Sequence, residues 1–218
     1  MSAPPKDVIA KYLARYAEPE SALGSRIERR TQHVLVIPAH DESASLLDGI
    51  RPALKAVGTR GERTLCIVVV NATDAHDAPL LARNVNLLNA LKAHAPCVGL
   101  HQAGETPCWY ANADYFDLVV LDRSSEGHRL PRREGVGMAR KIGCDLALAA
   151  LRAGANQAPL IHMSDGDVRL PSDYFDVTVP PATAALVYRF FHEPCGEPAM
   201  DEAHARYEAY LRYYILGL

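Results

Sequence analysis

The chain has 218 residues, of which 49% are hydrophobic and 22% are charged, a composition typical of folded globular proteins rather than disordered ones. Its formal net charge is −3 at pH 7, so we expect no general affinity for nucleic acid or for anionic membranes. The sequence contains neither an apolar run of about 20 residues, which would span a bilayer, nor an apolar signal core near its first residues. We therefore expect no transmembrane segment and a cytoplasmic location.

Strands and helices are predicted to alternate along the chain, because short β-branched apolar runs alternate with segments whose apolar residues are three or four apart. Residues 1–32 are predicted to form an N-terminal helix and a polar linker, and residues 33–218 to form one domain. The predicted strands are 33–38, 65–70, 97–100, 117–121, 160–163 and 184–191. The predicted helices are 5–17, 41–57, 80–95, 133–152, 171–175 and 202–218, and residues 101–116 are predicted to be a long loop.

This order of elements predicts an α/β fold with a mostly parallel, Rossmann-like sheet flanked by helices. Such sheets bind their ligands beyond the carboxyl ends of the strands. Polar segments follow four of the predicted strands at this position, after Ile37, Val70, Leu121 and Met163. We therefore expect these four segments to form one site.

The five cysteines favour free thiols over a disulfide scaffold or a zinc site. They are Cys66, Cys97, Cys108, Cys144 and Cys195, an odd number in which no two have C-x-x-C spacing. We therefore expect small buried or unreactive thiols.

Two carboxylates follow the predicted strand that ends at Met163. Asp165 and Asp167 are separated only by Gly166, which lets the backbone turn sharply and lets a ligand approach. Carboxylate oxygens are the ligands that Mg²⁺ and Mn²⁺ prefer, and such a cation can bridge a diphosphate. The spacing therefore favours a divalent metal site, although a solvated acidic turn has the same sequence.

The segment before the fourth long helix is the most basic part of the chain. Between Asp122 and Lys141 there are six Lys and Arg residues against three Asp and Glu residues. Gly135 and Gly137 lie near the predicted helix start, where free N–H groups and the helix dipole favour an anion. The spacing is neither that of a P-loop nor G-x-G-x-x-G, so a solvated helix end remains the alternative.

Together these segments resemble the family-2 glycosyltransferases, which have the GT-A fold. The resemblance begins with Val36-Ile-Pro-Ala-His-Asp-Glu42, which is similar to the family's V-I-P-A-(Y/H)-(N/D)-E. It continues with Ile67-Val-Val-Val-Asn-Ala-Thr-Asp74, where the family usually has a strand ending in D-(D/N)-G-S-T-D. The helix start and the metal motif of the family, G-x-x-x-A-R-N and L-D-A-D-x-x-(V/L)-P, resemble Glu134-Gly-Val-Gly-Met-Ala-Arg-Lys141 and Ser164-Asp-Gly-Asp-Val-Arg-Leu-Pro171.

The resemblance implies an enzyme that uses a nucleotide-diphosphate sugar, UDP- or GDP-linked, together with Mn²⁺ or Mg²⁺, and transfers the sugar to an unknown acceptor with inversion. The family's nucleotide-binding positions are occupied here by Pro38, Ala39, Asp41, Glu42, Asn71, Arg133, Arg140 and Asp165. Its metal-binding positions are occupied by Asp165 and Asp167. Asn71 stands where the family usually has a carboxylate, which leaves the choice of nucleotide open.

The catalytic E-D pair by which the family activates the acceptor has no counterpart in this sequence. The catalytic base is therefore unknown, and His192 and Glu193 are weak candidates. We expect the chain to be the front part of a longer protein. The apolar stripe of the last predicted helix fits packing on the sheet or a homodimer. The alternatives to a transferase are a nucleotidyltransferase-like enzyme and a non-catalytic nucleotide-binding or assembly domain.

Overall fold

The internal contacts of the chain divide it into two compact units, Met1–Val177 and Thr178–Leu218. The computed structural model describes residues 7–94, 96–103, 105–155, 158, 160–181 and 183–216. The expected domain boundary after residue 32 lies inside the first unit, and the change between units falls at residue 178.

A six-stranded mixed sheet forms the centre of the first unit. Its strands are β1 (His33–Ala39), β2 (Thr64–Asn71), β3 (Cys97–Ala103), β4 (Thr106–Asn112), β5 (Phe116–Arg123) and β6 (His162–Met163). They lie in the order β3-β4-β5-β2-β1-β6. Strands β1, β2, β5 and β6 are parallel, whereas β4 is antiparallel to both of its neighbours. The predicted α/β fold with a mostly parallel sheet is thus confirmed.

The helices of the first unit are α1 (Val8–Arg15), α2 (Leu46–Thr59), α3 (Ala78–His94) and α4 (Val136–Arg152), with a 3-10 helix at Pro19–Arg26. The second unit contains α5 (Pro198–Leu216). Among the described residues, no helix is both long enough and apolar enough to cross a membrane.

Burial on both faces explains why the central strands are so apolar. All eight residues of β2 are buried, and so are the last six of β1, as expected for parallel strands covered by helices on both sides. Helix α4 packs closely on β1, since a β-carbon on Gly143 would come 2.4 Å from Val36 Cγ1. This contact fixes the position of α4, whose first turn borders the candidate site.

The N-terminal segment is bound to α4 by a polar network. Lys141 Nζ donates to Glu18 Oε1 and to Asp145 Oδ2, both at 2.8 Å, and Tyr12 Oη donates to Asp145 Oδ1 at 2.8 Å. Asp145 is only 2% exposed, and its charge is balanced by Lys141. Residues 8–26 are therefore part of the unit that carries the sheet.

Three sequence predictions of secondary structure are wrong in the described chain. Residues 101–116 contain most of the β3–β4 hairpin rather than a loop. Thr106, Cys108 and Tyr110 are buried at every second position, as in a strand, but Pro107 hides this alternation in the sequence. Residues 184–191 form no strand, and Val187 and Phe191 are 86% and 73% exposed. An apolar run pairs only where a neighbouring strand accepts it. Residues 171–175 form turns rather than a helix.

All five cysteines are free thiols, as the sequence predicts. Cys66 and Cys108 are buried, and burial raises the pKa of each thiol to about 12. Cys144 is partly buried, and its pKa is raised to about 11 by the same cause. Cys97 and Cys195 are exposed.

Candidate functional site

The carboxyl ends of β1, β2, β5 and β6 lie at one edge of the sheet, because these strands are parallel. The segments that follow them are joined by backbone hydrogen bonds. Ala72 N–H donates to Arg123 O at 3.0 Å, Leu130 N–H donates to Ala72 O at 2.8 Å, and Ser164 N–H donates to Val36 O at 3.1 Å. The four polar segments expected to form one site therefore do lie along one edge, which we call the C-terminal edge.

Three carboxylates are neighbours at this edge, and we call Glu42, Asp165 and Asp167 the carboxylate cluster. Gly166 packs against Glu42 so closely that a β-carbon on Gly166 would lie 2.7 Å from Glu42 Cγ. Partial burial raises the pKa of Glu42, and the negative charges of Asp167 and Asp165 raise it further. The cluster thus concentrates negative charge at a point that a cation could neutralise.

Arg140 is the cation that the structure places at the cluster. Its Nη2 donates to Asp165 Oδ1, and the two side chains are 38% and 58% exposed. Asp167 is exposed and has no hydrogen bond or ion pair with any residue that the structure describes. One carboxylate of the D-x-D motif is therefore paired, and the other is available to a ligand.

These residues fit a divalent cation only if other ligands complete its shell. In the described part of the chain, no three His, Cys, Asp or Glu side chains are arranged to hold a metal ion by themselves. Mg²⁺ commonly binds through one or two carboxylates, with phosphate oxygens and water as the remaining ligands. Asp165 and Asp167 could supply the protein's share of such a shell.

Asp41 begins the turn after β1 and is held by α3. Its φ of +64° lies in the left-handed region, which Asp tolerates better than most residues. Arg83 donates from Nε to Asp41 Oδ1 and from Nη2 to Asp41 Oδ2, and Asn84 Oδ1 accepts the Asp41 N–H at 3.1 Å. The hydrogen bond from Arg83 lowers the pKa of Asp41. Arg83 thus binds both carboxylate oxygens of Asp41, a residue predicted to contact the nucleotide. The sequence analysis did not predict this ion pair.

Asn71 is a buried structural amide at the end of β2. It is 2% exposed, and its Nδ2 donates to Ala39 O at 3.0 Å and to Val69 O at 3.3 Å. Its backbone carbonyl accepts from Asn84 Nδ2 at 3.0 Å. A carboxylate has no proton to donate to these two carbonyls, which accounts for an amide at this position.

Pro38 and Ala39 are also covered, as the last two residues of β1. The next residue, His40, is partly buried, and its ring lies 4.5 Å from that of His76. His40 Nδ1 lies 3.1 Å from Asn71 O, and it must carry the proton because a carbonyl only accepts. His76 Nδ1 accepts the Thr73 N–H at 2.8 Å. The two imidazoles, rather than Pro38 and Ala39, border the open edge here, and the sequence reading did not single them out.

The basic segment, residues 122–141, has positive charges and open space that could accept an anion. Arg132 and Arg133 are exposed and make no ion pair with any described residue, whereas Arg129 lies 3.8 Å from Asp74 Oδ1. Helix α4 starts after Gly135 without a side-chain cap, and a β-carbon on Gly135 or Gly137 would meet no atom within 4 Å. The free N–H groups of the first turn are therefore open to an approaching ligand.

Asp122 stabilises the turn at the start of the basic segment. The sequence analysis did not predict this role. It is 4% exposed and accepts four hydrogen bonds, from the backbone N–H and the hydroxyl of both Ser124 and Ser125, at 2.6–3.1 Å. An Asp followed by two serines at a strand end is a recognisable turn signal. The Asp122 turn directs the chain from β5 into the basic segment.

Comparisons of the chain with protein-family models, with curated proteins and with solved structures find no match. The structure does bring Glu42, Asp165 and Arg140 together at the C-terminal edge. It buries Asn71 and binds Asp41 to Arg83. The chemistry of the site therefore depends on the carboxylate cluster, Arg140 and the start of α4.

In the second unit, His192 is oriented by a carboxylate. Its Nδ1 lies 3.1 Å from Glu208 Oε1, which also accepts the His192 backbone N–H at 2.6 Å. The ring of His204 stacks on that of His192, with centroids 4.5 Å apart and planes 17° apart. The hydrogen bonds from His192 lower the pKa of Glu208. A carboxylate bound to Nδ1 leaves Nε2 as the basic nitrogen, which is the geometry that a general base needs.

Proposed function

We propose that the chain is a glycosyltransferase domain of GT-A architecture. In this proposal it binds a nucleotide-diphosphate sugar with Mn²⁺ or Mg²⁺ at the C-terminal edge of the sheet and transfers the sugar to an acceptor. The resemblance of four segments to family-2 glycosyltransferases supplies the reaction class.

The observation that carries the proposal is the carboxylate of Asp167, which is exposed and has no partner among the residues that the structure describes. Asp167 lies two residues from Asp165, which is bound to Arg140, and Arg140 belongs to the helix whose open start adjoins the basic segment. A diphosphate with its cation needs oxygen ligands for the metal and positive groups for the remaining phosphate charge. This part of the C-terminal edge offers both.

Each group then has a distinct role. Asp165 and Asp167 would hold the divalent cation, which supplies Lewis-acid stabilisation of the leaving diphosphate when it is bound. Arg140 and Arg133 would contact the phosphate oxygens, together with the N–H groups at the start of α4. Glu42, set between the β1 turn and the metal motif, would accept a hydrogen bond from a ribose hydroxyl.

The proposal predicts stabilisation by the donor in the presence of the metal. UDP-sugars or GDP-sugars with Mn²⁺ should raise the melting temperature of the full chain, because a ligand at about 100 times its dissociation constant adds roughly 2.7 kcal/mol to the free energy of unfolding. Asp167→Asn should weaken binding about tenfold or more, equivalent to at least about 1.4 kcal/mol. Asp173→Asn is the matched control, since Asp173 is also exposed and has no side-chain partner in the described chain.

Four outcomes contradict the proposal. If no nucleotide-diphosphate sugar binds, or if Asp167→Asn binds as the wild type does, the site has been misassigned. A response to ATP or CTP alone would favour a nucleotidyltransferase-like enzyme. Binding without release of nucleoside diphosphate, when acceptors are supplied as mixed glycans, lipids and peptides, would favour a non-catalytic nucleotide-binding domain.

A further inference from the structure

Arg140 and the proposed metal compete for the same carboxylate. Arg140 Nη2 is hydrogen-bonded to Asp165 Oδ1, one of the two oxygens through which Asp165 could bind a cation. Both side chains are partly exposed, so neither is prevented by packing from changing partner. A cation that binds Asp165 must therefore displace a guanidinium or share the carboxylate with it.

A metal ion that binds without a nucleotide gains little binding free energy when it displaces Arg140 from Asp165. Asp167 is the one carboxylate of the D-x-D motif without a partner in the described chain, and no three-ligand group lies among the described residues. A lone Mn²⁺ would exchange water for at most two carboxylates while placing its charge beside a displaced arginine. Two like charges close together oppose each other.

A diphosphate changes this balance because Arg140 can bind it. Arg140 is the fifth residue of α4, which begins at Val136, so its backbone lies only about 6 Å along the axis from the helix start. The guanidinium can therefore turn from Asp165 to an anion held at that start. Arginine binds phosphate in the same forked manner as it binds a carboxylate.

We propose that Arg140 couples the binding of the metal to the binding of the diphosphate. Without ligand, Arg140 occupies Asp165; when the nucleoside diphosphate binds, Arg140 moves to the phosphate oxygens and leaves Asp165 to the cation. This inference rests on the proposed function. Arg140 acts here as a positioning residue that makes metal-alone binding weak and joint binding strong, and the coupling must be the same in both directions.

The test measures Mn²⁺ binding without nucleotide, using the electron paramagnetic resonance signal of free Mn²⁺ and the full chain. Arg140→Gln should bind Mn²⁺ alone at least about threefold more tightly than the wild type, because Asp165 is released. Arg140→Lys should stay close to the wild type, since it keeps the charge. Arg132→Gln is the matched control, because it removes a nearby positive charge that has no ion pair in the described chain.

A second, independent variant, Asp165→Asn, tests whether Arg140 binds the diphosphate once it is released from Asp165. Asp165→Asn frees Arg140 without removing it, so UDP or GDP in the presence of EDTA should bind this variant more tightly than the wild type. Circular dichroism establishes that each variant folds. If Arg140→Gln fails to fold, the measurement with Asp165→Asn still decides the question.

The outcomes separate this inference from the proposed function. If UDP and GDP fail to bind the wild type even with Mn²⁺, the proposed function fails and the coupling fails with it. If they bind, but Arg140→Gln takes up Mn²⁺ alone no more tightly than the wild type or Arg132→Gln does, the coupling alone is wrong. An equal gain in Arg140→Gln and Arg132→Gln would also overturn it, since net charge would then explain the effect.

Discussion

Gly166 lies so close to Glu42 that no β-carbon fits between them: it would be 2.7 Å from Glu42 Cγ and 2.9 Å from Glu42 Cδ. The same β-carbon would lie 3.0 Å from Leu46 Cδ1 at the start of α2. The contact joins the turn after β1 to the turn after β6. A side chain at position 166 would therefore require Glu42 or the turn that carries Gly166 to shift.

Gly166→Ala should disturb the cluster more than the fold. We expect a loss of about 1–3 kcal/mol in the free energy of unfolding from overpacking, and a fall in affinity for UDP or GDP with Mn²⁺ of about tenfold or more. Isothermal titration calorimetry and urea unfolding measure the two effects. Ser164→Ala, in the same turn, adds no atoms and should change neither; equal affinities for Gly166→Ala and the wild type would remove Glu42 from the site.

Asn71→Asp should destabilise the protein although it restores the residue usual in the resembling family. Both known hydrogen bonds of the Asn71 amide are donated to backbone carbonyls, of Ala39 and Val69, and a buried carboxylate in their place would be repelled. We expect a loss of roughly 2–4 kcal/mol at pH 7.

The pH dependence of Asn71→Asp separates repulsion from simple loss of hydrogen bonds. The buried carboxyl of the variant should have a pKa above its unfolded value, so the folded state binds the extra proton and the variant loses stability as the pH rises from about 4. Urea unfolding at pH 4.5 and 7 measures this. Asn71→Ala is the control, and a penalty for Asn71→Asp that is independent of pH would contradict this account.

Gly137→Ala should raise stability and lower ligand affinity together. Gly137 lies in the first turn of α4, and a β-carbon there meets no atom within 4 Å. Alanine is favoured over glycine in a helix by up to about 1 kcal/mol, so the free energy of unfolding should rise. If the diphosphate approaches this backbone, the added methyl group should weaken UDP or GDP binding severalfold. Greater stability with unchanged binding would place the phosphates elsewhere.

His162 should make the first unit sensitive to mild acid. It is 6% exposed and its ring lies 4.9 Å from Phe175 and 5.4 Å from Tyr174. Burial lowers the pKa of His162 to about 4, and the nearby His33 contributes. The unfolded imidazole takes up a proton near pH 6.5, so stability falls as the pH decreases from 6.5 towards 4.

The expected loss from His162 is about 2 kcal/mol between pH 7 and pH 5, from 1.36 kcal/mol for each pKa unit. Urea unfolding at the two pH values gives the loss for the wild type and for His162→Gln, whose glutamine does not titrate. The loss should be smaller in the variant by about this amount. The same loss in both proteins would assign it to other groups.

The sequence predicted the parts of the fold that depend on local pattern. The short apolar runs of β1 and β2, rich in Val and Ile, indicate buried strands. Parallel strands bring the segments that follow them to one edge of the sheet, and this is where the candidate site was expected. It could not predict Arg83 on Asp41, since 42 positions separate them and only tertiary packing brings them together. The two carbonyls bound by the Asn71 side-chain amide lie on its own strand and on a neighbouring one, which the composition of the segment does not reveal.

Two of the three errors, those at residues 101–116 and 184–191, have a common cause in strand pairing. Residues 184–191 have a strand's composition but no strand in the described structure, whereas residues 106–112 contain a proline and still form β4 between two partners. Whether an apolar run becomes a strand depends on a neighbour with free backbone groups. Whether such a neighbour is present depends on the whole sheet rather than on the sequence of the run.

The uneven burial of the five thiols makes the protein suitable for site-selective labelling without any cysteine being introduced. Cys66 and Cys108 are buried and keep their protons at neutral pH, and maleimides react with the thiolate. Cys97 and Cys195 are exposed, and one lies in each unit. Spin labels or fluorophores on this natural pair would report the distance between the two units in solution, with and without a nucleotide.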